Sequence, residues 1–325
     1  MQLPTQLKRA IEQQSDRIGL KQLVQAATEL SDNYRFRQGA TTRFIATEAH
    51  RIAYAATRMP ATYAAVLAVL REAKRLLPDE SFASLLDLGA GPGTASWAAC
   101  EVFAPLQKIT LIERDRELIR LGQTFAAQAS DEVLQRAEWL AQDLSQVISF
   151  AQHDVVICSY ALGELSLSQA RQVVQTAWQA AGKALVILEP GTMKGFALLR
   201  QLRADLLVAN GNIIAPCPHQ QTCPMPEADW CHFAARVERS AMHRKLKGGA
   251  LGYEDEKYAY LVVTKSPADS ATARILRHPK QHSGFIQFQL CTKEGLQEVT
   301  VTRRDKEAFK QARKANWGEA WSNHS

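Results

Sequence analysis

Residues 86–94 read Leu-Asp-Leu-Gly-Ala-Gly-Pro-Gly-Thr and stand between a short apolar run and a stretch of helical character. A strand that runs into a glycine turn and then opens a helix leaves few choices of fold. Glycines let backbone approach a ligand where a Cβ would clash. The same rhythm then repeats. Residues 108–115 (KITLIERD), 153–160 (HDVVICSY) and 183–191 (KALVILEPG) read as strands, with helical stretches 94–103, 117–129 and 168–181 between them. Alternating strands and helices predict an α/β fold, a Rossmann-like parallel sheet covered on both faces.

Three regions follow. Residues 1–78 read as an N-terminal helical region, with Val66, Leu67, Leu70 and Leu77 at helical spacing and Pro60 and Pro78 marking a start and a stop. Its arginines, Arg35, Arg37, Arg43, Arg51 and Arg58, read mainly as solvated charges. Residues 79–210 hold the Rossmann-like core. Residues 211–325 form a C-terminal module: a cysteine-bearing loop at 211–232, a basic stretch from Arg236 to Lys247, a strand YAYLVVTK, a loop at 266–283, two strands around FIQFQLC and LQEVTVTR, and a closing basic helix.

The turn matches D-x-G-x-G-x-G, motif I of class I methyltransferases, more closely than the dinucleotide fingerprint. Its expected ligand is therefore S-adenosylmethionine. Asp87 ends the strand, where it either fixes the turn or faces the ligand's amino group. Gly89, Gly91 and Gly93 give close backbone approach. Glu113 closes the second strand and is placed to accept from ribose hydroxyls; Asp143 follows a weaker third strand and is placed to meet the adenine amino group. After the fourth strand, amino-methylating enzymes carry an Asn/Asp-Pro-Pro-aromatic motif. Here the chain reads Cys158-Ser159-Tyr160-Ala161-Leu162-Gly163-Glu164-Leu165, so no catalytic residue is assigned.

Charge is uneven. Residues 232–325 hold 17 Lys and Arg against 10 Asp and Glu, on a body that is nearly neutral. A basic C-terminal part suits a polyanion, and RNA is the usual one; no DNA is expected. No apolar stretch approaches the ~20 residues that cross a bilayer, and no apolar h-region opens the chain. The expectation is a cytoplasmic protein with no membrane partner.

Cys100 and Cys158 lie in apolar segments and read as small core residues. Cys217, Cys223 and Cys231 share one non-periodic loop, spaced C-x5-C and C-x7-C, and Cys291 is the natural fourth member. Four thiolates suit tetrahedral zinc or an iron–sulfur cluster. Structural zinc favours tighter knuckles, and the looser spacing with Cys-Pro steps suits a cluster; both remain open on the residues. His219, His232 and His243 read as supporting or surface groups. The chain lacks the C-x3-C-x2-C signature of radical enzymes, so a cluster here would be structural.

Several stretches together resemble one family. They are AYAATRMPATY at 53–63, DLGAGPGT, SYALGEL, LVILEPGT, PCPH-x3-CP with DWCHF, YEDEKYAYLV and the final ARKANWGEAW. The family is that of methyltransferase-like assembly proteins of the mitochondrial small ribosomal subunit, with their bacterial relatives. The resemblance covers most of the chain from about residue 45. It implies a [4Fe–4S] cluster on Cys217, Cys223, Cys231 and Cys291, and binding to the small ribosomal subunit and its RNA during assembly. The expected function is ribosome assembly or translation-linked RNA binding; the alternative is an active S-adenosylmethionine-dependent ribosomal RNA methyltransferase.

Overall fold

A computed structural model of the chain describes residues 1–36, 45–146 and 149–322. Arg37 and Arg43 lie outside the described residues, as does the side chain of Arg35. Four helices come first: α1 (Thr5–Ile18), α2 (Leu20–Phe36), α3 (Glu48–Thr57) and α4 (Met59–Leu76). Pro60 sits in the first turn of α4, where its missing N–H costs nothing. The alternating unit follows: β1 (Ser84–Leu88), α5 (Thr94–Val102), β2 (Lys108–Glu113), α6 (Arg116–Ala126), α7 (Glu132–Gln135), β3 (Glu138–Ala141), β4 (His153–Ser159), α8 (Leu167–Ala180), β5 (Ala181–Pro190) and α9 (Met193–Val208). The C-terminal elements are β6 (Asn212–Ala215), β7 (Phe233–Glu238), α10 (Ala241–Lys247), β8 (Tyr253–Thr264), β9 (Ala273–Ile275), β10 (Lys280–Gln281), β11 (Phe285–Thr292), β12 (Gly295–Thr302), α11 (Lys306–Ala312) and β13 (Ala320–Trp321).

The first sheet runs β3-β2-β1-β4-β5-β8-β6, with β7 also pairing β8. Strands β1 to β5 are parallel, and β8 is antiparallel to β5, β6 and β7. The chain reverses from β1 to β4 at the sheet's middle, which sets the glycine turn at a topological switch point. This is the class I methyltransferase-like arrangement that the strand-helix alternation predicts. Successive residues of one strand serve opposite cores. Ala184, Val186 and Leu188 join the cluster under the N-terminal helices, whereas Leu185 and Ile187 join the one under α8 and α9. Burial on both faces is why these strands read as continuous apolar runs.

Residues after 210 serve two sheets. β6, β7 and β8 complete the first, and β9 to β13 form a second, five-stranded sheet with its own core around Ile275, Phe288, Leu290 and Trp321. The stretch 266–283, expected as loop, contains β9 and β10. They are three and two residues long, too short to show a period, and their partners β11 and β13 come later in the chain. Arg58, read as solvated, pairs with Glu256 at 3.2 Å.

Arg274 ties these parts together. It is 2% exposed, and its guanidinium donates to the Pro216 carbonyl (3.1 Å), the Gly318 carbonyl (3.0 Å) and Glu72 Oε1 on α4 (2.6 Å). Removing one partner of a buried pair strands the other's charge, which costs about 3–5 kcal/mol. Arg274→Met is therefore expected to lower stability by roughly that amount, read as an earlier midpoint in urea. Adding Glu72→Gln should recover part of the loss; no recovery in the double variant would show that packing, and not charge, sets the cost.

Candidate functional sites

At the turn, three glycines take positive φ: Gly89 (+66°), Gly91 (+55°) and Gly93 (+86°). Two of them are needed for different reasons. A Cβ on Gly89 would lie 2.5 Å from the Ala161 Cβ, so that position is a close packing point between the turn and the segment after β4. A Cβ on Gly91 would meet nothing within 4 Å, so that position faces open space.

Asp87 is fully buried. Its Oδ2 accepts from the Ser96 backbone N–H (3.2 Å) and hydroxyl (2.9 Å), while Oδ1 has no partner among the described residues. Burial pushes its carboxyl up to about 7, against the pull of the Ser96 bonds. Glu113 is drawn onto the turn: Oε2 accepts from Gly91 N–H (2.9 Å) and Oε1 from Asp115 N–H (2.8 Å). Burial again raises its carboxyl, partly offset by those two bonds. Asp143 stands apart and accepts from the backbone N–H and hydroxyl of Ser145 (2.9 and 2.8 Å), the hydroxyl bond chiefly holding its carboxyl low. The structure thus joins Asp87, Glu113 and the glycines in one turn and leaves Asp143 engaged with its own neighbour.

Tyr160 belongs to the segment singled out after the fourth strand, and Glu189 was not singled out. Tyr160, directly after β4, takes φ +58°, uncommon for an aromatic residue. Glu189, at the end of β5, is buried and pushed up to about 7 by that burial; its Oε1 accepts from Leu162 N–H (3.0 Å).

The second site lies where the two sheets meet. Cys217, Cys223 and Cys231, from the segment between β6 and β7, line one cavity with Cys291 of β11. The cavity is partly open to solvent. Phe196, Leu276 and Leu296 supply apolar walls. Burial raises the thiols of Cys217 and Cys231 and pushes Cys291 up to about 12. Among the described residues, no three or more His, Cys, Asp or Glu side chains form a group that could hold a metal ion.

Sequence reading missed the two arginines on this cavity, because neither lies near a cysteine motif. Arg203 of α9 is 4% exposed and donates through Nη1 to the Gln221 carbonyl (2.7 Å) and through Nη2 to the His219 carbonyl (2.8 Å). Its Nε has no partner among the described residues, nor has His219 Nδ1. His219 Nε2 lies 3.5 Å from Cys291 Sγ. Arg274 is the other arginine. The loop's far end is joined to the C-terminus by aromatic contacts: Trp230 stacks on His232 at 5.1 Å, and Trp317 meets His232 edge-on at 4.9 Å. His243 lies outside this group, buried against Glu254 at 3.3 Å.

A protein-family model described as mitochondrial small ribosomal subunit Rsm22 matches residues 48–322. The human "Ribosome assembly protein METTL17, mitochondrial" is 26% identical, over 84% of this chain and 62% of its own length. A fission yeast (Schizosaccharomyces pombe) Rsm22-cox11 tandem protein, also named mitochondrial, is 24% identical over 84% of this chain and 43% of its own. The chain thus spans about half the length of these relatives. Among solved structures, a magnesium protoporphyrin IX methyltransferase from Synechocystis with bound S-adenosylmethionine aligns at 16% identity and TM-score 0.41, over 73% of this chain and 91% of that one. The cytoplasmic expectation is corrected here. It rested on the lack of an apolar leader, whereas the curated relatives are named as mitochondrial proteins. No helix among the described residues is long and apolar enough to cross a membrane.

Asp87 yields a pH test. Its carboxyl titrates near 7 when folded and at the usual 3.8 as a free group. Between those values the folded chain holds a proton that the unfolded chain has lost, so stability falls as pH rises through that window and levels off above it. Asp87→Asn keeps the acceptor for Ser96 and removes the charge. Its stability is expected to fall less than the parent's between pH 5 and 8 by on the order of 2–4 kcal/mol. Parallel slopes in urea titrations at the two pH values would place the proton elsewhere.

Proposed function

The chain belongs to the mitochondrial small ribosomal subunit Rsm22 family, and on that premise we propose that it assists assembly of the small ribosomal subunit by binding its RNA. The methyltransferase-like fold is the scaffold. A [4Fe–4S] cluster on Cys217, Cys223, Cys231 and Cys291 locks the second sheet onto it. Support for the assembly role comes from the relatives' names and from the basic C-terminal part.

Arg203 is the observation that carries the cluster. A buried guanidinium costs several kcal/mol unless an anion meets it, and no carboxylate pairs with Arg203 among the described residues. It lines a cavity beside the Cys217 thiol, which burial raises and the guanidinium draws back toward the thiolate, and the four thiols there become anionic once they ligate a metal. The chemistry of the donor set and the buried positive charge support an anionic metal–thiolate centre, for which the four thiols, not grouped as a ligand set in this structure, would have to converge. Three cysteines come from a loop of low apolar content and the fourth from β11, 60 residues beyond Cys231. When bound, the cluster supplies ligand bonds that the unfolded chain does not have preformed, and so adds directly to folding free energy. The protein's own part is to hold the loop: Arg203 grips two of its carbonyls, and Arg274 fixes its start.

A second reading, an active ribosomal RNA methyltransferase, draws on the open space at Gly91. Glu113 fits either outcome, since each of its oxygens accepts one N–H of the chain and keeps a lone pair for a ligand hydroxyl. Incubating the protein with labelled S-adenosylmethionine and precursor ribosomal RNA decides: transfer of label to the RNA would establish this reading.

Iron, sulfide and zinc analysis of anaerobically purified protein tests the cluster first. About four iron and four sulfide per chain are expected of a [4Fe–4S] centre; stoichiometric zinc would replace it with a zinc site. Cys291→Ser is expected to lose the iron and to sensitise the chain to protease after residue 210 while the β1–β5 core stays folded. It should also leave small-subunit fractions in a low-salt sucrose gradient. Full iron content with unchanged protease resistance would overturn the assignment.

A further inference from the structure

We propose that the outer face of α11, continued through the turn after it, is a ridge that binds RNA backbone phosphates. Lys306, Lys310, Arg313 and Lys314 make its contacts. The proposal rests on the RNA-binding reading above and gives that reading a location.

The spacing of these four residues, i, i+4, i+7 and i+8, places them on one side of a helix. Arg313 still has helical backbone at the end of α11. The opposite side is apolar: Ala312 is buried, and Ala308, Phe309 and Ala315 pack against the core of the second sheet. The helix is therefore seated by one face and displays cations on the other. All four are exposed, as are Arg303 and Arg304 just before the helix. From Lys306 to Lys314 the ridge runs about 12 Å at helical rise, enough to meet more than one phosphate.

A helix with a solvated polar face is common, so the density of unpaired charge decides. Several exposed cations elsewhere stand beside a carboxylate: Arg120 with Glu117, Arg136 with Glu132 and Arg236 with Asp255. Among the described residues, none of Arg303, Arg304, Lys306, Lys310, Arg313 and Lys314 forms an ion pair. Two carboxylates lie between 303 and 314. Asp305 is spent as the helix N-cap, accepting from Ala308 N–H at 2.9 Å, which leaves Glu307 against six cations. Local helix stability accounts for Lys310, Arg313 and Lys314, which stand at the C-terminal end of α11 where the macrodipole favours cations, but not for the rest. Arg303, Arg304 and Lys306 gather at the helix N-terminus, where the macrodipole disfavours cations.

The ridge is also held in place. The Arg303 guanidinium lies 5.8 Å from the Phe309 ring centre, and Phe309 itself packs on the sheet. Three residues beyond Lys314, Trp317 enters the aromatic joint with His232, and the next carbonyl, of Gly318, accepts from Arg274. Unpaired, exposed and rigidly mounted cations at helical spacing are the electrostatic footprint of phosphate binding.

The test uses the full chain purified anaerobically and a fluorescein-labelled RNA of small-subunit ribosomal sequence, read by anisotropy across a salt series. One variant carries Lys310→Ala, Arg313→Ala and Lys314→Ala. A control removes the same charge from the exposed N-terminal helices through Lys8→Ala, Arg9→Ala and Lys21→Ala. The ridge variant is expected to bind at least about tenfold more weakly, and its log K against log salt slope to shrink by about 2, from roughly 0.7 per lost contact. Its melting temperature and metal content should match the parent's, and the control should bind within about twofold of the parent. A ridge variant that binds like the parent, or no worse than the control, would overturn the ridge and leave the RNA reading standing. An unmodified chain that fails to bind the RNA would overturn both. Displacement of RNA by polyglutamate at no effect on the ridge variant's deficit would confirm competition for one cationic face, whereas polyglutamate bound more tightly than RNA would assign the ridge to an acidic protein.

Discussion

One buried guanidinium sets the relation between the two sheets. Arg274 sits in β9, the three-residue strand that joins β11 to β13, and uses each of its three nitrogens on a different part of the chain. Pro216 is the entry to the cysteine loop, Gly318 belongs to the C-terminal turn, and Glu72 stands on α4 beneath the first sheet. Burial alone would raise the Glu72 carboxyl, but its bonds to Arg75 and Arg274 overcome that and hold it low. The pair is thus ionised as well as buried. Such a pair gives little net stability over a well-packed apolar substitute, but it tolerates only one arrangement, because any slip leaves a charge unmatched in low dielectric. The position of the cysteine loop relative to β11 follows from it.

The glycine turn is held by the carboxylate that closes the second strand. Its glycines have the positive φ values that the sequence motif demands, and the switch point of the sheet puts them where a ligand belongs. The Glu113 carboxylate is bonded to the turn itself, one N–H on each oxygen, and each oxygen keeps a second lone pair. The same two bonds explain the turn's order without any ligand: Glu113 ties the tip at Gly91 to the start of α6.

Legibility followed the range of the interaction that fixes each feature. The strand-helix order from β1 to β5 was readable because each element carries its own apolar run and the turn carries its own glycines. β11, β12 and α11 were readable for the same reason. Short strands were not: β9 and β13 exist only because remote partners and Arg274 hold them. The cysteines were legible as a set by residue type, and the cavity does gather all four. Arg203 and Arg274 were invisible, since an arginine in a helix or a three-residue strand gives no local sign of a buried partner; Glu72 lies 202 residues from Arg274. Localisation was not legible, because hydropathy along the chain does not fix a compartment.

The cysteine cavity and the cationic helix are mechanically one assembly. Between them lie two short paths: Cys231 to His232 to Trp317 through ring contacts, and Pro216 to Arg274 to Gly318 through hydrogen bonds. Gly318 is the hinge on which both converge. It takes φ +90°, and a Cβ there would come within 3.0 Å of the Phe233 ring, so the chain passes close over β7 at that point. Arg203 of α9 holds the loop by two of its carbonyls, and the rings that seat Trp317 stand at the loop's far end. The helix that carries the unpaired cations ends three residues before Trp317's immediate neighbours, too short a tether to move independently. The cysteine cavity and the aim of the charged surface are thereby coupled through packing alone.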